Sequence, residues 1–132
     1  MKLFVPEPES DELNRRVEGR TDLLLSDLTI TETAAALARR LREGALSREI
    51  ASRVLHAILE RVNDGAYDRV ELTGDVHRHA ERLLLSLVDV PLRAADALHL
   101  ALATSARAGS LASFDARLAA AARATGLAVY PP

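Results

Sequence analysis

The sequence predicts an α/β protein, with a mostly parallel sheet covered by helices on both faces in a three-layer α/β/α arrangement. Two observations carry that expectation. Apolar runs short enough for buried strands alternate along the chain with segments whose apolar residues recur every three or four positions. That order implies right-handed crossovers between parallel strands. The length, 132 residues, suits one hydrophobic core, and no linker, internal repeat or charge block divides it, so a single domain over residues 1–132 is expected.

Pro6-Glu7-Pro8 can open a helix but not sit inside one, and Glu9, Asp11 and Glu12 suit a helix N-terminus, so a short helix is expected from about Glu9 to Glu18, stopped by Gly19. Asp22 to Leu28, with Leu23-Leu24-Leu25, reads as a buried strand ended by Thr29. From Thr29 to Arg42 a helix places Ala34, Leu37, Ala38 and Leu41 on one face, with Gly44 beyond its end. Ser47 caps a second helix in which Ile50, Val54, Ile58 and Val62 recur every four residues until Asn63-Asp64-Gly65, and the two helices are expected to form a hairpin. Tyr67 to Leu72 predicts a strand and Thr73 to Val88 a helix carrying Val76, Ala80, Leu83 and Leu87, separated by Pro91 from the next element. Arg93 to Arg107 is apolar on nearly every side, as in a helix packed from several directions, and Gly109 is expected to close it. A strand Leu111 to Phe114, a helix Asp115 to Ala124 ended by Gly126, and a strand Leu127 to Tyr130 complete the chain before Pro131-Pro132.

Composition narrows the function. A hydrophobic fraction of 48% with 27% charge is that of a folded globular chain, which excludes intrinsic disorder and a collagenous or low-complexity protein. The absence of cysteine excludes a disulfide scaffold, a thiolate zinc site, an iron–sulfur site and a cysteine nucleophile, leaving oxygen or imidazole as metal ligands. Seventeen basic against 19 acidic residues give a net charge of −2, so no broad basic surface is expected, and two Phe, two Tyr and no Trp are too few for a sheet that stacks single-stranded bases. The residues Met1 to Pro8 resemble neither a signal peptide nor a membrane span, which points to the cytoplasm.

Three carboxylates stand out by position: Glu32 at the start of a helix after a strand, Asp96 inside an apolar helix, and Asp115 just after a strand. Ligands of parallel α/β sheets bind outside the carboxyl ends of the strands, where Glu32 and Asp115 lie. Each carboxylate also has a purely structural reading, and both readings stay open. Thr29 with Glu32 fits a capping box, and Asp115 fits a helix N-cap. Asp96 is costly among alanines and leucines unless it is paired, and Arg93, one turn earlier, is the candidate partner. Together, three hard-oxygen ligands would suit Mg²⁺ or Mn²⁺, which can activate a water for attack on a phosphodiester.

Four segments carry a resemblance. Lys2 to Ser10, Ser26 to Glu32, Arg93 to Ala101, and Ala112-Ser113-Phe114-Asp115 followed by Gly126-Leu127 are similar, in that order and spacing, to the successive signatures of PIN-domain ribonucleases, specifically VapC-type toxins. The resemblance implies an Mg- or Mn-dependent endoribonuclease with RNA as substrate and Glu32, Asp96 and Asp115 as the carboxylates of its site. It also implies Ser113 in the place of a supporting hydroxyl, a cognate antitoxin as partner, and a homodimer. In the family a strand ending in an Asp-Thr-Ser type motif precedes the segment that resembles Lys2 to Ser10, so that central strand and its aspartate are expected to be absent from this chain. A start codon assigned too far downstream is the favoured explanation, a decayed toxin the other. The competing function is accordingly a catalytically impaired PIN-like module that binds an antitoxin or an intact paralogue.

Other constellations weigh less. His77 and His79 are two apart, not on one helix face, and are expected in solvent. His99, one turn after Asp96, is a side candidate for supporting it. Arg39, Arg40 and Arg42 suit a helix C-terminus at least as well as RNA phosphates.

Overall fold

The computed structural model describes residues 10–132, which divide into two compact units meeting at Arg69 and Val70, each taken by itself. The expected helix start at Glu9 and the segment from Lys2 lie outside the described residues.

In the first unit, α1 (Ser10–Val17) carries Asp11 and Glu12 in its first turn and Arg15 and Arg16 in its last, each beside the pole of the helix dipole that favours it. The strand β1 (Leu24–Ser26) is shorter than the apolar run suggested. Ser26 ends it because its Oγ accepts the amide of Thr29 at 3.1 Å, capping α2 (Asp27–Arg42) two residues earlier than the Thr29 start expected from sequence. Thr29 is thus already inside the helix, and Glu32 falls in the second turn rather than at the third residue after a cap. Helix α3 (Arg48–Asn63) begins at the expected cap, Ser47, whose Oγ accepts the amide of Ile50 at 3.2 Å.

Leu37 of α2 packs with Ala51, Val54 and Ile58 of α3, with Leu25 and Ile30 against the same cluster. The four-residue repeat of α3 is therefore what the hairpin buries, except at its N-terminal end, where Ile50 is 44% exposed. The strand β2 (Asp68–Val70) pairs with β1. Within that pair the amide of Asp68 donates to the carbonyl of Leu23 at 2.9 Å, and the Arg69 guanidinium holds the Asp27 carboxylate.

The second unit runs α4 (Gly74–Ser86), α5 (Ala94–Ser105), β3 (Ser110–Ala112), α6 (Ala116–Ala124) and β4 (Ala128–Tyr130). Thr73 caps α4 through its Oγ1, which accepts the amide of Val76 at 3.3 Å. Strands β3 and β4 are parallel, Leu111 opposite Val129, and α6 is the crossover that parallel pairing requires. Leu100 of α5 packs with Leu118, Ala121 and Ala122 of α6, and Leu83, Leu111, Leu127 and Val129 close around them. Ala97, Ala101, Ala121 and Ala122 are wholly buried. Helix α5 packs against both α4 and α6, which explains why it reads as apolar on every side.

The ends of α5 and α6 use the same geometry with different residues. Gly126 follows α6 at φ +83°, with Leu127 N–H donating to Ala122 O at 3.0 Å, the left-handed cap for which glycine is suited. At the end of α5 that position falls on Arg107, at φ +54°, with Ala108 N–H donating to Ala103 O at 2.9 Å. The stop expected at Gly109 therefore comes two residues earlier, at a residue whose Cβ makes the conformation costly by about 1 kcal/mol. Among the described residues no helix is long and apolar enough to cross a membrane.

Candidate functional site

The second unit brings three of the singled-out side chains together. Arg93 is the N-cap of α5, and Asp96 is the third helical residue. Asp96 Oδ2 accepts the backbone N–H of Arg93 at 3.0 Å, so the carboxylate reaches back over the helix start as the acidic half of a capping box. Arginine has no acceptor to return the bond. Instead its guanidinium turns onto the same carboxylate, Nε to Oδ2 at 3.1 Å and Nη2 to Oδ1 at 3.2 Å. The pairing weighed from sequence is present, and a carboxylate only 2% exposed has both oxygens hydrogen-bonded.

Asp115 is held from the other side. It caps α6, its Oδ1 accepting the amides of Arg117 at 2.8 Å and Leu118 at 3.1 Å. The capping role open in the sequence is therefore real, but it uses one oxygen only. The second, Oδ2, accepts Arg93 Nη2 at 3.1 Å. Ser113 sets this turn: its N–H donates to Tyr130 O at 2.9 Å, continuing the β3–β4 ladder, and its Oγ accepts the amide of Asp115 at 3.1 Å.

One guanidinium therefore spans two carboxylates 19 residues apart in sequence. Arg93 is half exposed while Asp96 is buried, so the anion is fixed and the cation is the mobile partner. The two bonds push the Arg93 guanidinium further above its already high value, that to Asp96 first and that to Asp115 second. The Leu118 amide does most to hold the Asp115 carboxyl below the ordinary carboxylate range; burial opposes it, and the Arg93 guanidinium and the Arg117 amide add to the lowering.

The depressed value of Asp115 has a stability consequence whose sign is fixed. A group with a lowered folded-state pKa stabilises the fold above its unfolded value, about pH 4, and loses that contribution as pH falls through the folded value. Asparagine caps a helix as well as aspartate but carries no charge. In urea unfolding from pH 6 to pH 2, Asp115→Asn is expected to differ from the parent by a constant amount above about pH 4 and to converge with it below. A gap that persists unchanged at pH 2 would show that the charge of Asp115 contributes nothing.

Glu32 belongs to the first unit, exposed on α2, and Asp96 and Asp115 to the second. Among the described residues no group of three or more His, Asp and Glu side chains is gathered as a metal ligand set. The pair Asp96 and Asp115 does fit a cation in its donor chemistry: carboxylate oxygens from both converge on one positive group, here the guanidinium. Of the histidines, His77 is exposed as expected, while His79 is half-buried on α4 and His99 half-buried on α5.

The link from Arg93 to Asp115 had no signal in the sequence. Arg93 was legible as a local partner three residues from Asp96, but its second bond depends on where packing puts the start of α6.

Comparison with known proteins defines the class. The PIN domain family matches residues 1–124, and the chain belongs to that family, of the VapC type. It is 35% identical over 135 aligned residues to Ribonuclease VapC46 of Mycobacterium tuberculosis (strain ATCC 25618 / H37Rv), a match covering 100% of this chain and 91% of the relative. The resemblance read from the four sequence segments and the α/β class are both borne out.

Proposed function

We propose that the chain, as one PIN domain, is a metal-dependent endoribonuclease toxin, with Asp96 and Asp115 as carboxylates that hold Mg²⁺ or Mn²⁺. The observation that carries the reading is the convergence of Asp96 and Asp115 on one cation in a PIN-family chain. The VapC-type relative, named as a ribonuclease, supports RNA as the substrate. A bound divalent ion would supply an activated water and neutralise charge at an RNA phosphodiester. The chain's own residues do the rest. Asp96 is locked in its rotamer by burial and by the Arg93 amide, so its oxygens sit where they do without any ligand. Asp115 is oriented by the two α6 amides and the Ser113 hydroxyl, which leaves Oδ2 to the cation, here Arg93 Nη2. A cognate antitoxin as partner, a homodimer and a cytoplasmic location complete the reading.

The test is cleavage of RNA by the purified chain. Cleavage with added Mg²⁺ or Mn²⁺ that stops on chelation with EDTA and returns on replenishment is expected. Absence of cleavage under every divalent ion would overturn the reading in favour of a binding module.

A further inference from the structure

If the two carboxylates hold a metal, as proposed above, the group that already occupies the space between them must give way to it. Asp115 Oδ1 is committed to the amides of Arg117 and Leu118, so Oδ2 is the oxygen it has for a cation, and Arg93 Nη2 takes it. The same nitrogen and Nε cover both oxygens of Asp96. A guanidinium and a divalent ion compete here for the same oxygens and the same space, because each carboxylate oxygen turned toward the pair already accepts from the arginine and two cations at that distance repel.

The two carboxylates do not depend on that guanidinium for their placement. Asp96 is also held by the backbone N–H of Arg93, and Asp115 by backbone amides of α6 and the Ser113 turn. Removing the guanidinium therefore leaves the geometry and adds one uncompensated negative charge. Arg93 itself is half exposed and free to swing into solvent, whereas Asp96 is not.

We propose that Arg93 is a built-in competitor for the metal, an intramolecular counter-ion that occupies the Asp96–Asp115 pair in the metal-free protein and sets the divalent-ion concentration at which the site fills. Such a residue keeps two neighbouring carboxylates tolerable in the empty state, at the cost of metal affinity. Its role differs from that of a ligand, whose removal weakens binding, and from that of a purely structural residue, whose removal changes stability alone.

The experiment is calorimetric titration of Mn²⁺ into the whole chain, its Arg93→Gln variant and its Arg93→Lys variant, each also melted with and without Mn²⁺. Arg93→Gln is expected to bind Mn²⁺ about tenfold more tightly than the parent, to melt lower when metal-free, and to gain more on adding Mn²⁺. Arg93→Lys keeps the charge but not the fork that reaches both carboxylates, so it is expected to fall between the two, and it decides the matter if the glutamine variant does not fold. Binding by the parent with an unchanged or weaker Kd in the variants would overturn this inference and leave the metal reading standing. Absence of Mn²⁺ binding by all three proteins would overturn the metal reading and this inference with it.

Discussion

Replacing Asp96 with asparagine is expected to lower metal-dependent RNA cleavage by about 100-fold or more, on the order of 3 kcal/mol of transition-state stabilisation, with the fold retained. The substitution preserves shape. Asparagine Oδ1 can still accept the Arg93 amide at the start of α5, where Asp96 now accepts it at 3.0 Å. What it removes is the charge: the side-chain amide presents N–H groups where the second oxygen stood, toward a guanidinium that is itself only a donor. The stability cost is expected to be about 1–2 kcal/mol, because a charge-assisted bond is lost while the exposed Arg93 can re-solvate. Circular dichroism and thermal melting would check the fold, and cleavage with added Mn²⁺ the activity. Undiminished cleavage by a folded variant would remove Asp96 from the site. The choice of Asn over Ala matters here, since alanine would also strip α5 of the carboxylate that caps it and leave the two causes mixed.

What the sequence made legible was whatever depends on local pattern. The alternation of strand and helix, the four-residue repeat that buries Val54 and Ile58, the cap at Ser47, and the glycine after α6 all rest on residues within a turn or two of each other. The errors share a cause as well. Ser26 and Thr29 are both good cap residues three apart, and the cap went to the earlier one, whose hydroxyl reaches the Thr29 amide. Arg107 rather than Gly109 ends α5, because the bonds that close the helix outweigh the conformational preference of one residue. At the site, Asp96 was identifiable because a carboxylate on an apolar helix demands a partner, and Arg93 was the nearest. The convergence on Asp115 was not identifiable in this way, because it is set by how α5 packs against α6 and not by any spacing in the chain.

That dependence makes the core of the second unit a determinant of the site. Leu100 lies one turn after Asp96 on α5, is 2% exposed, and packs with Leu118, Ala121 and Ala122 of α6. Leu100→Ala removes three buried carbons from a cluster in which Ala121 and Ala122 have no side chain to swing into the void and only the surrounding leucines and Val129 could relax. The loss is therefore expected to be about 3 kcal/mol, the middle of the range for leucine truncation in a core. Ordinary domains hold roughly 5–15 kcal/mol in all, so this is a large fraction of the total. Urea unfolding would measure it, with Leu85→Ala as the control: Leu85 is 81% exposed, and its truncation is expected to cost under about 0.5 kcal/mol. The functional consequence comes from position. The same contact holds the start of α6, and so Asp115, within reach of Arg93 at 3.1 Å. If the void lets α6 shift, that bond lengthens while the bonds from Arg93 to Asp96, made within one helix start, are kept. Leu100→Ala is thus expected to lower cleavage even at temperatures where the variant is fully folded. Full activity together with a loss of about 3 kcal/mol would show that the two carboxylates are positioned independently of the α5–α6 core.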